Sequence, residues 1–121
     1  MRIGITGAAG FVGSYLTSCL MEKGHQIRLL DTSVGTLKEL RGVELIEGGV
    51  EDNSVVRSFV KEIDIIIHLA WSFSEDPVRS LEVDVKGNLN LLKASVEQKV
   101  KHFILASTAV VYGKANTCSL N

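Results

Sequence analysis

The sequence predicts an α/β fold built on a doubly wound parallel sheet, and three observations carry this prediction. Five short apolar runs along the 121 residues are typical of strands that are buried on both faces. Segments with apolar residues at helical spacing separate most of these runs. The connections are short and parallel neighbours need right-handed crossovers, so we expect the strand order 3-2-1-4-5 of a Rossmann-type sheet.

The first half of the chain alternates expected strands with short helices. The first helix presents Val12, Leu16 and Leu20 on one face and is expected to end at Gly24, since glycine is common just after helices. Between the second and third strands there is room only for a helix of a turn or two over residues 36–40. The five strands are expected at residues 3–6, 27–30, 43–46, 63–69 and 103–106.

Two later helices are indicated by their capping residues and apolar faces. Asp52 or Asn53 can accept hydrogen bonds from the first turn of a helix over residues 54–61. The longest helix follows the only proline and covers residues 78–96. Gly87 lies within it, on a face that another part of the chain is expected to approach closely.

Three glycines lie where the first strand turns into the first helix. The first N–H groups of a helix lack partners and can donate to a pyrophosphate. Gly7 would permit the tight turn, Gly10 would let the backbone approach the phosphates, and Gly13 would let the helix pack closely on the strand. These residues predict a dinucleotide-binding turn, and the alternative is that the glycines serve packing alone.

Asp31 ends the second strand, 24 positions after Gly7. A dinucleotide-binding fold places an acid about 20 residues after its glycine turn, where it accepts hydrogen bonds from the adenosine ribose. A carboxylate there also repels a 2′-phosphate, and no arginine follows it in residues 32–35, so NAD is favoured over NADP. The alternative is that Asp31 only begins a turn.

The composition fits one globular domain over residues 1–121 and excludes several classes of function. A net charge of −1 with mixed signs gives no basic surface for nucleic acid. There is no apolar run long enough to span a membrane, and the N-terminus lacks the pattern of a signal peptide, so a cytoplasmic location is expected. Cys19 and Cys118 lack metal-ligand spacing and suit unpaired thiols, so we expect no metal site.

With these motifs placed, the chain resembles the N-terminal part of the extended short-chain dehydrogenase/reductases, the family of NAD-dependent nucleotide-sugar epimerases and dehydratases. Residues 6–13 (TGAAGFVG) resemble its TGxxGxxG turn, and Asp31 is similar to its NAD-selecting acid. Residues 47–52 (EGGVED) and 68–71 (HLAW) resemble the segments that follow its third and fourth strands. Its NVxGTxNLL helix and SSxxVYG stretch are similar to residues 84–92 (DVKGNLNLL) and 107–113 (STAVVYG).

The resemblance implies a role for each matching residue. Backbone N–H groups of the turn would bind the pyrophosphate, Asp31 the ribose, and the main chain of Val50 the adenine. Leu69, Ala70 and Trp71 lie at the crevice where the strand order reverses, and the last two would border the nicotinamide ribose. The implied cofactor-binding residues are therefore Gly7, Gly10, Phe11, Val12, Asp31, Val50, Leu69, Ala70 and Trp71.

Three polar residues near the strand ends have different expected roles. Thr108 matches the family residue that hydrogen-bonds the substrate oxygen during hydride transfer, and the alternative is a turn residue. His68 ends a buried strand, so we expect a structural hydrogen bond rather than catalysis. Tyr112 has no lysine four positions on and matches a packing tyrosine of the family, not its catalytic base.

The chain also departs from the family pattern. It has no Tyr-x-x-x-Lys, the base of the family, so we expect a fragment that ends after strand five, binds NAD weakly and does not turn over. Gly49 replaces an acid that often bonds the adenine amino group, and Asp84 replaces an asparagine. An open sheet edge and an apolar flank on the longest helix would promote self-association.

The leading hypothesis is the NAD-binding portion of an epimerase or dehydratase whose full enzyme acts on a nucleotide sugar. The alternative is a non-catalytic dinucleotide-binding or redox-sensing module, which the missing Tyr-x-x-x-Lys favours. A third possibility is S-adenosylmethionine binding on a similar sheet. Comparative binding of NAD, NADP and S-adenosylmethionine separates the third hypothesis from the other two.

Overall fold

A computed structural model describes residues 1–108 and 113. Its centre is a five-stranded parallel sheet in the order β3-β2-β1-β4-β5, which confirms the expected topology. The strand order reverses between β1 and β4, so a crevice opens at the carboxyl ends of these two strands. The strands are β1 (Arg2–Thr6), β2 (Gln26–Asp31), β3 (Val43–Glu47), β4 (Ile65–His68) and β5 (His102–Leu105).

Helices cover both faces of the sheet, as a doubly wound fold requires. On one face, α1 (Phe11–Glu22) and a short 3-10 helix (Thr36–Glu39) pack on apolar side chains of β1 and β2. On the other face, α2 (Asn53–Val60) and the later helices enclose Phe59, the largest fully buried side chain. Alternate strand residues therefore point into two separate apolar cores.

The end of α1 and the start of α2 lie where the sequence predicts them. α1 ends at Glu22, and Gly24 follows in the left-handed region with φ of 75°. Asp52 caps α2, since its carboxylate accepts hydrogen bonds from the N–H groups of Ser54 and Val55. The Ser54 hydroxyl donates to the same carboxylate at 2.6 Å, and together with the two N–H groups it holds the pKa of Asp52 below its usual range, because these bonds favour the charged form.

The longest helix is continuous but not uniform. It comprises α3 (Pro77–Ser80), a π-helical segment (Leu81–Gly87) and α4 (Asn88–Glu97). The apolar spacing predicted one regular helix over residues 78–96 and did not reveal the π-helical segment. A single wide turn leaves most of the apolar residues on the same face of the helix, so the spacing hardly changes. Gly87 is closely approached as expected, since a Cβ on it would overlap Cγ2 of Val50.

Some boundaries and residues differ from the expectations or lie beyond the description. β4 is shorter than the expected strand over residues 63–69, and β5 begins and ends one residue earlier than expected. Tyr112 and Cys118 lie outside the described residues, as does most of the stretch over residues 107–113. Within the described part of the chain, every helix is too short or too polar to cross a membrane.

Candidate dinucleotide-binding site

A cleft of about 610 Å³ lies at the carboxyl ends of the central strands. The loops after β1, β2, β3 and β4 all contribute to it, which is the expected place for a ligand on an open α/β sheet. Seven of the predicted cofactor-binding residues line this cleft, namely Gly7, Gly10, Asp31, Val50, Leu69, Ala70 and Trp71. The topology therefore gathers residues from four separate parts of the sequence around one cavity.

The turn between β1 and α1 leaves no room for a side chain at Gly7 or Gly13. Gly7 has a φ of 69°, and a Cβ on it would lie 2.7 Å from the backbone nitrogen of Ala70. A Cβ on Gly13 would overlap the carbonyl oxygen of Gly7 and lie 2.8 Å from Cα of Ala8. Both contacts are with backbone atoms, which cannot move aside as side chains do. Gly7 therefore makes the tight turn that was predicted for it, and the close packing predicted at Gly13 is confirmed.

The N-terminus of α1 faces the cleft without a side-chain cap. Gly10 occupies the capping position in an extended conformation, and the first turn carries no acidic residue. The N–H groups at the start of this twelve-residue helix are available to an anion. The side chains of Phe11 and Val12 are 93% and 58% exposed and do not line the cleft, so only their backbone atoms bear on the prediction.

Asp31 joins the glycine turn to the loop after β2. One carboxylate oxygen accepts from the N–H of Ala9 at 2.9 Å, and the other accepts from the N–H of Ser33 at 3.0 Å. The second bond is a local turn, so the alternative proposed for Asp31 describes part of what it does. Its carboxylate nevertheless lines the cleft and keeps lone pairs for further donors. Its bonding to ribose stays a prediction.

His68 is buried beneath the cleft and paired with a hydroxyl group. Its Nδ1 lies 2.5 Å from Oγ1 of Thr6, and only 1% of the residue is exposed. Burial lowers the pKa of His68 to about 4, although the nearby Asp84 carboxylate acts in the opposite direction. Oγ1 of Thr6 also accepts from the N–H groups of Leu69 and Ala70 at 3.3 Å. His68 is therefore neutral near pH 7 and positions the end of β4.

Asp84 holds the loop that follows β4, a role that the sequence did not reveal. Its two carboxylate oxygens accept from the N–H of Ser72 at 2.9 Å and from its hydroxyl at 2.7 Å. The loop places the aromatic side chains of Trp71 and Phe73 along the cleft. The sequence showed that Asp84 replaces an asparagine of the family pattern, but it did not indicate that Ser72 is its hydrogen-bond partner.

A charged pair at the other side of the cleft was also missed. Nη1 of Arg79 donates to Oε1 of Glu51 at 2.6 Å, and both residues line the cleft. Val50, the neighbour of Glu51, is 3% exposed and packs against Gly87. These residues come from segments 28 positions apart in the sequence. Periodicity therefore carries no signal for this contact.

Thr108 lies three residues after the end of β5 and is exposed. It is not among the described residues that line the cleft. The role of Thr108 in hydride transfer therefore stays a prediction.

Proteins similar to this chain include sugar-nucleotide enzymes. UDP-glucose 4-epimerase from Halalkalibacterium halodurans is 32% identical over 94% of this chain and 36% of its own length. A 3 beta-hydroxysteroid dehydrogenase/Delta 5-->4-isomerase from Mycobacterium tuberculosis is 34% identical over 95% of this chain and 34% of its own length. The chain thus spans about a third of the length of these curated relatives.

Solved structures show the same fold. The UDP-glucose 4-epimerase of Thermotoga maritima with UDP-glucose superposes with a TM-score of 0.87 and 28% identity, over 97% of this chain and 41% of that one. The Bordetella bronchiseptica enzyme WbmG in complex with NAD gives 0.84 and 31%, over 98% of this chain and 41% of that one. A family model also matches residues 3–119. The chain therefore belongs to the NAD dependent epimerase/dehydratase family.

Proposed function

We propose that this chain is the NAD-binding portion of an epimerase or dehydratase that acts on a nucleotide sugar. The observation that carries the proposal is the cleft itself, where the glycine turn, the uncapped start of α1 and the Asp31 carboxylate converge. NAD is the cofactor of the family to which the chain belongs. Several of its relatives are named for UDP-sugars, which supports a substrate of that class.

The residues of the cleft fit the successive parts of a dinucleotide. N–H groups of Phe11 and Val12 would donate to the pyrophosphate, because no side chain in the described part of the chain caps the start of α1. The N–H of Gly10 already donates to the carbonyl of Gly7 at 3.2 Å, so it would share its hydrogen with the pyrophosphate. The Asp31 carboxylate would accept from ribose hydroxyls with its remaining lone pairs. The main chain of Val50 would border the adenine. The loop over residues 69–71 would border the nicotinamide ribose.

NAD supplies a hydride acceptor and donor when it is bound. The protein's part is to hold the dinucleotide with backbone groups, which need no side-chain reorganisation. Thr108 would donate a hydrogen bond to a substrate oxygen, assisting rather than acting as the base. Trp71, which is 53% exposed in the cleft, would narrow the nicotinamide end or stack on substrate.

Nucleotide titration tests this proposal directly. Trp71 is the only tryptophan and lies in the cleft, so its fluorescence reports binding. We expect NAD to bind more tightly than NADP, because the Asp31 carboxylate repels a 2′-phosphate. Asp31→Asn should weaken NAD binding about tenfold, as expected for loss of a charged hydrogen bond, and should narrow the preference over NADP.

Glu22→Gln provides the matched control, because it removes one carboxylate at the far end of α1. It should leave both affinities unchanged. Equal binding of NAD and NADP by the wild-type protein would contradict the role of Asp31. Tighter binding of S-adenosylmethionine than of either dinucleotide would overturn the cofactor assignment.

We also propose that the protein self-associates through the longest helix. Six apolar residues on it are exposed, namely Val78, Leu81, Val85, Leu89, Leu92 and Val96. Contiguous apolar surface of this kind promotes association. Light scattering should show a mass above that of one chain, and Leu89→Lys should reduce it. A monomer at high concentration would contradict the proposal.

We propose a cytoplasmic location from cysteine chemistry. Cys19 is a free thiol within α1, a state that a reducing compartment preserves. Cell fractionation with an antibody to the protein tests this, and recovery in an extracytoplasmic fraction would contradict it.

A further inference from the structure

The carboxylate of Glu51 occupies the space that a side chain at position 49 would take. An ideal Cβ on Gly49 would overlap Oε2 of Glu51 and would lie 2.6 Å from Oε1. The three atoms nearest to that Cβ all belong to the Glu51 carboxylate. The acid that the sequence lacks at position 49 is thus replaced, in space, by an acid two residues later.

This carboxylate has unused capacity for hydrogen bonds. Oε1 accepts from Nη1 of Arg79 at 2.6 Å, whereas Oε2 is buried and has no hydrogen-bond partner. An ionised carboxylate offers about four acceptor positions, and the last torsion of a glutamate rotates easily. A small rotation would turn an oxygen toward the cleft that Glu51 lines. A buried acceptor without a donor is unfavourable, so a hydrogen bond from a ligand to this carboxylate would be stabilising.

The position of the carboxylate along the cleft identifies the part of the ligand that meets it. The pyrophosphate site is at the start of α1, over β1, and the ribose site is at Asp31, at the end of β2. β3 lies beyond β2, and the N–H of Gly48 donates to the carbonyl of Asp31 at 2.9 Å. A base leaves the ribose on the side opposite its phosphate. The adenine therefore extends toward the segment that carries Glu51.

We propose that Glu51 accepts a hydrogen bond from the exocyclic amino group of the adenine and so selects adenine over a 6-oxo purine. The inference rests on the NAD binding proposed above. A carboxylate attracts the amino group at C6 but repels a carbonyl oxygen at the same atom. Arg79 holds the carboxylate of Glu51 in place through their hydrogen bond. The second acidic neighbour of Arg79, Glu82, lies 3.8 Å from it and outside the cleft.

The test compares NAD with nicotinamide hypoxanthine dinucleotide, in which a carbonyl replaces the amino group. Both are titrated into the purified protein and followed by Trp71 fluorescence and calorimetry. The wild type should bind NAD at least about tenfold more tightly, as expected for a charge-assisted hydrogen bond. Glu51→Gln should reduce this ratio to about twofold or less, because an amide can donate or accept by turning over.

Two further variants make the test specific. Glu82→Gln removes the other carboxylate that faces Arg79 and should keep the tenfold ratio. Glu51→Ala should lose it, and Gly49→Asp added to Glu51→Ala should restore it, since the new side chain enters the space that Glu51 leaves. The φ angle of Gly49 lies outside the left-handed region, so an aspartate can adopt the same backbone conformation.

The outcomes separate this inference from the proposed function. If the wild type binds both dinucleotides equally and Asp31→Asn still weakens both, Glu51 does not contact the base and the inference is overturned alone. If Glu82→Gln lowers the ratio as much as Glu51→Gln, long-range charge explains the effect and the inference also fails. If neither dinucleotide binds, the proposed function fails and this inference fails with it.

Discussion

The two walls of the cleft nearest β1 and β4 are built in different ways. The glycine turn after β1 is shaped by backbone contacts, with Gly7 and Gly13 packed where no Cβ fits. The loop after β4 is instead held by side chains, through the Thr6 hydroxyl and the Asp84 carboxylate. The glycine turn is the backbone-built wall, and it is rigid because its backbone atoms are in close contact. The loop after β4 is the side-chain-built wall, and it depends on a few hydrogen bonds that can be removed individually.

The difference fits what each wall would bind. NAD and NADP share the same pyrophosphate, and a fixed row of N–H groups suits it. The loop after β4 exposes Trp71 and Phe73 to the cleft, and Phe73 has a φ of 48°, a conformation that is uncommon for an aromatic residue. A wall held by side chains can vary between related proteins without loss of the fold. We therefore expect substitutions in the two walls to differ in size and in kind.

Gly13→Ala tests the backbone-built wall and should have the largest effect. The new Cβ would overlap the carbonyl oxygen of Gly7, and backbone atoms cannot rotate away. We expect a loss of about 3 kcal/mol in the free energy of unfolding and loss of NAD binding. Urea denaturation followed by circular dichroism measures the first, and Trp71 fluorescence measures the second.

Gly35→Ala is the matched control for this substitution. No atom lies within 4 Å of a Cβ at Gly35, and its backbone is already helical with φ of −50°. The free energy of unfolding should stay the same or rise by up to about 1 kcal/mol. If Gly13→Ala were as well tolerated as Gly35→Ala, the rigid description of the turn would be wrong.

Acid should weaken the side-chain-built wall through His68. The folded-state pKa of His68 is about 4, below the usual 6.5, so the unfolded chain binds the proton first as pH falls. Stability from this group is complete above pH 6.5 and is lost progressively toward pH 4. At pH 4.5 the loss should be about 2 kcal/mol. Urea denaturation of the wild type at pH 7 and pH 4.5 measures it.

His68→Asn is the reference for that measurement, since its amide can replace Nδ1 opposite the Thr6 hydroxyl without titrating in this range. The variant should lose less free energy of unfolding between pH 7 and pH 4.5 than the wild type. The other titrating groups are the same in both proteins, so their contributions cancel in the comparison. An identical pH dependence in both proteins would show that folding does not lower the pKa of His68.

Thr6→Val should have a smaller effect, and it tests the link between the two walls. The substitution keeps the shape of the side chain but removes the acceptor for the Ala70 N–H and the partner of His68, whereas the Leu69 N–H keeps the backbone carbonyl of Thr6 at 3.1 Å. We expect a loss of about 1.5 kcal/mol in the free energy of unfolding, typical of unsatisfied buried polar groups. Thr6→Ser, which retains the hydroxyl, should recover part of it. Equal stabilities of the two variants would assign the effect to packing.

The sequence predicted the backbone-built wall better than the other for a physical reason. Strand and helix periods and the spacing from Gly7 to Asp31 are local properties, and they led to the strand order, the glycine turn, Asp31 and residues 69–71 of the cleft. Val50 was expected from the family resemblance alone. The bonds of Thr6 with His68 and of Arg79 with Glu51 join residues 62 and 28 positions apart. Only the folded chain shows such pairs. The sequence showed that an acid is missing at Gly49, but not that the carboxylate of Glu51 occupies that space.

Asp84→Asn should have the smallest effect, and it distinguishes charge from shape in the side-chain-built wall. The amide can still accept from the Ser72 N–H, and the hydroxyl of Ser72 can turn to accept from its NH₂ group. The free energy of unfolding should therefore fall by only about 0.5 kcal/mol. The Asp84 charge raises the pKa of His68, so its removal should lower that pKa further. Nuclear magnetic resonance titration of the His68 ring measures this shift, and an upward movement would contradict the charge assignment.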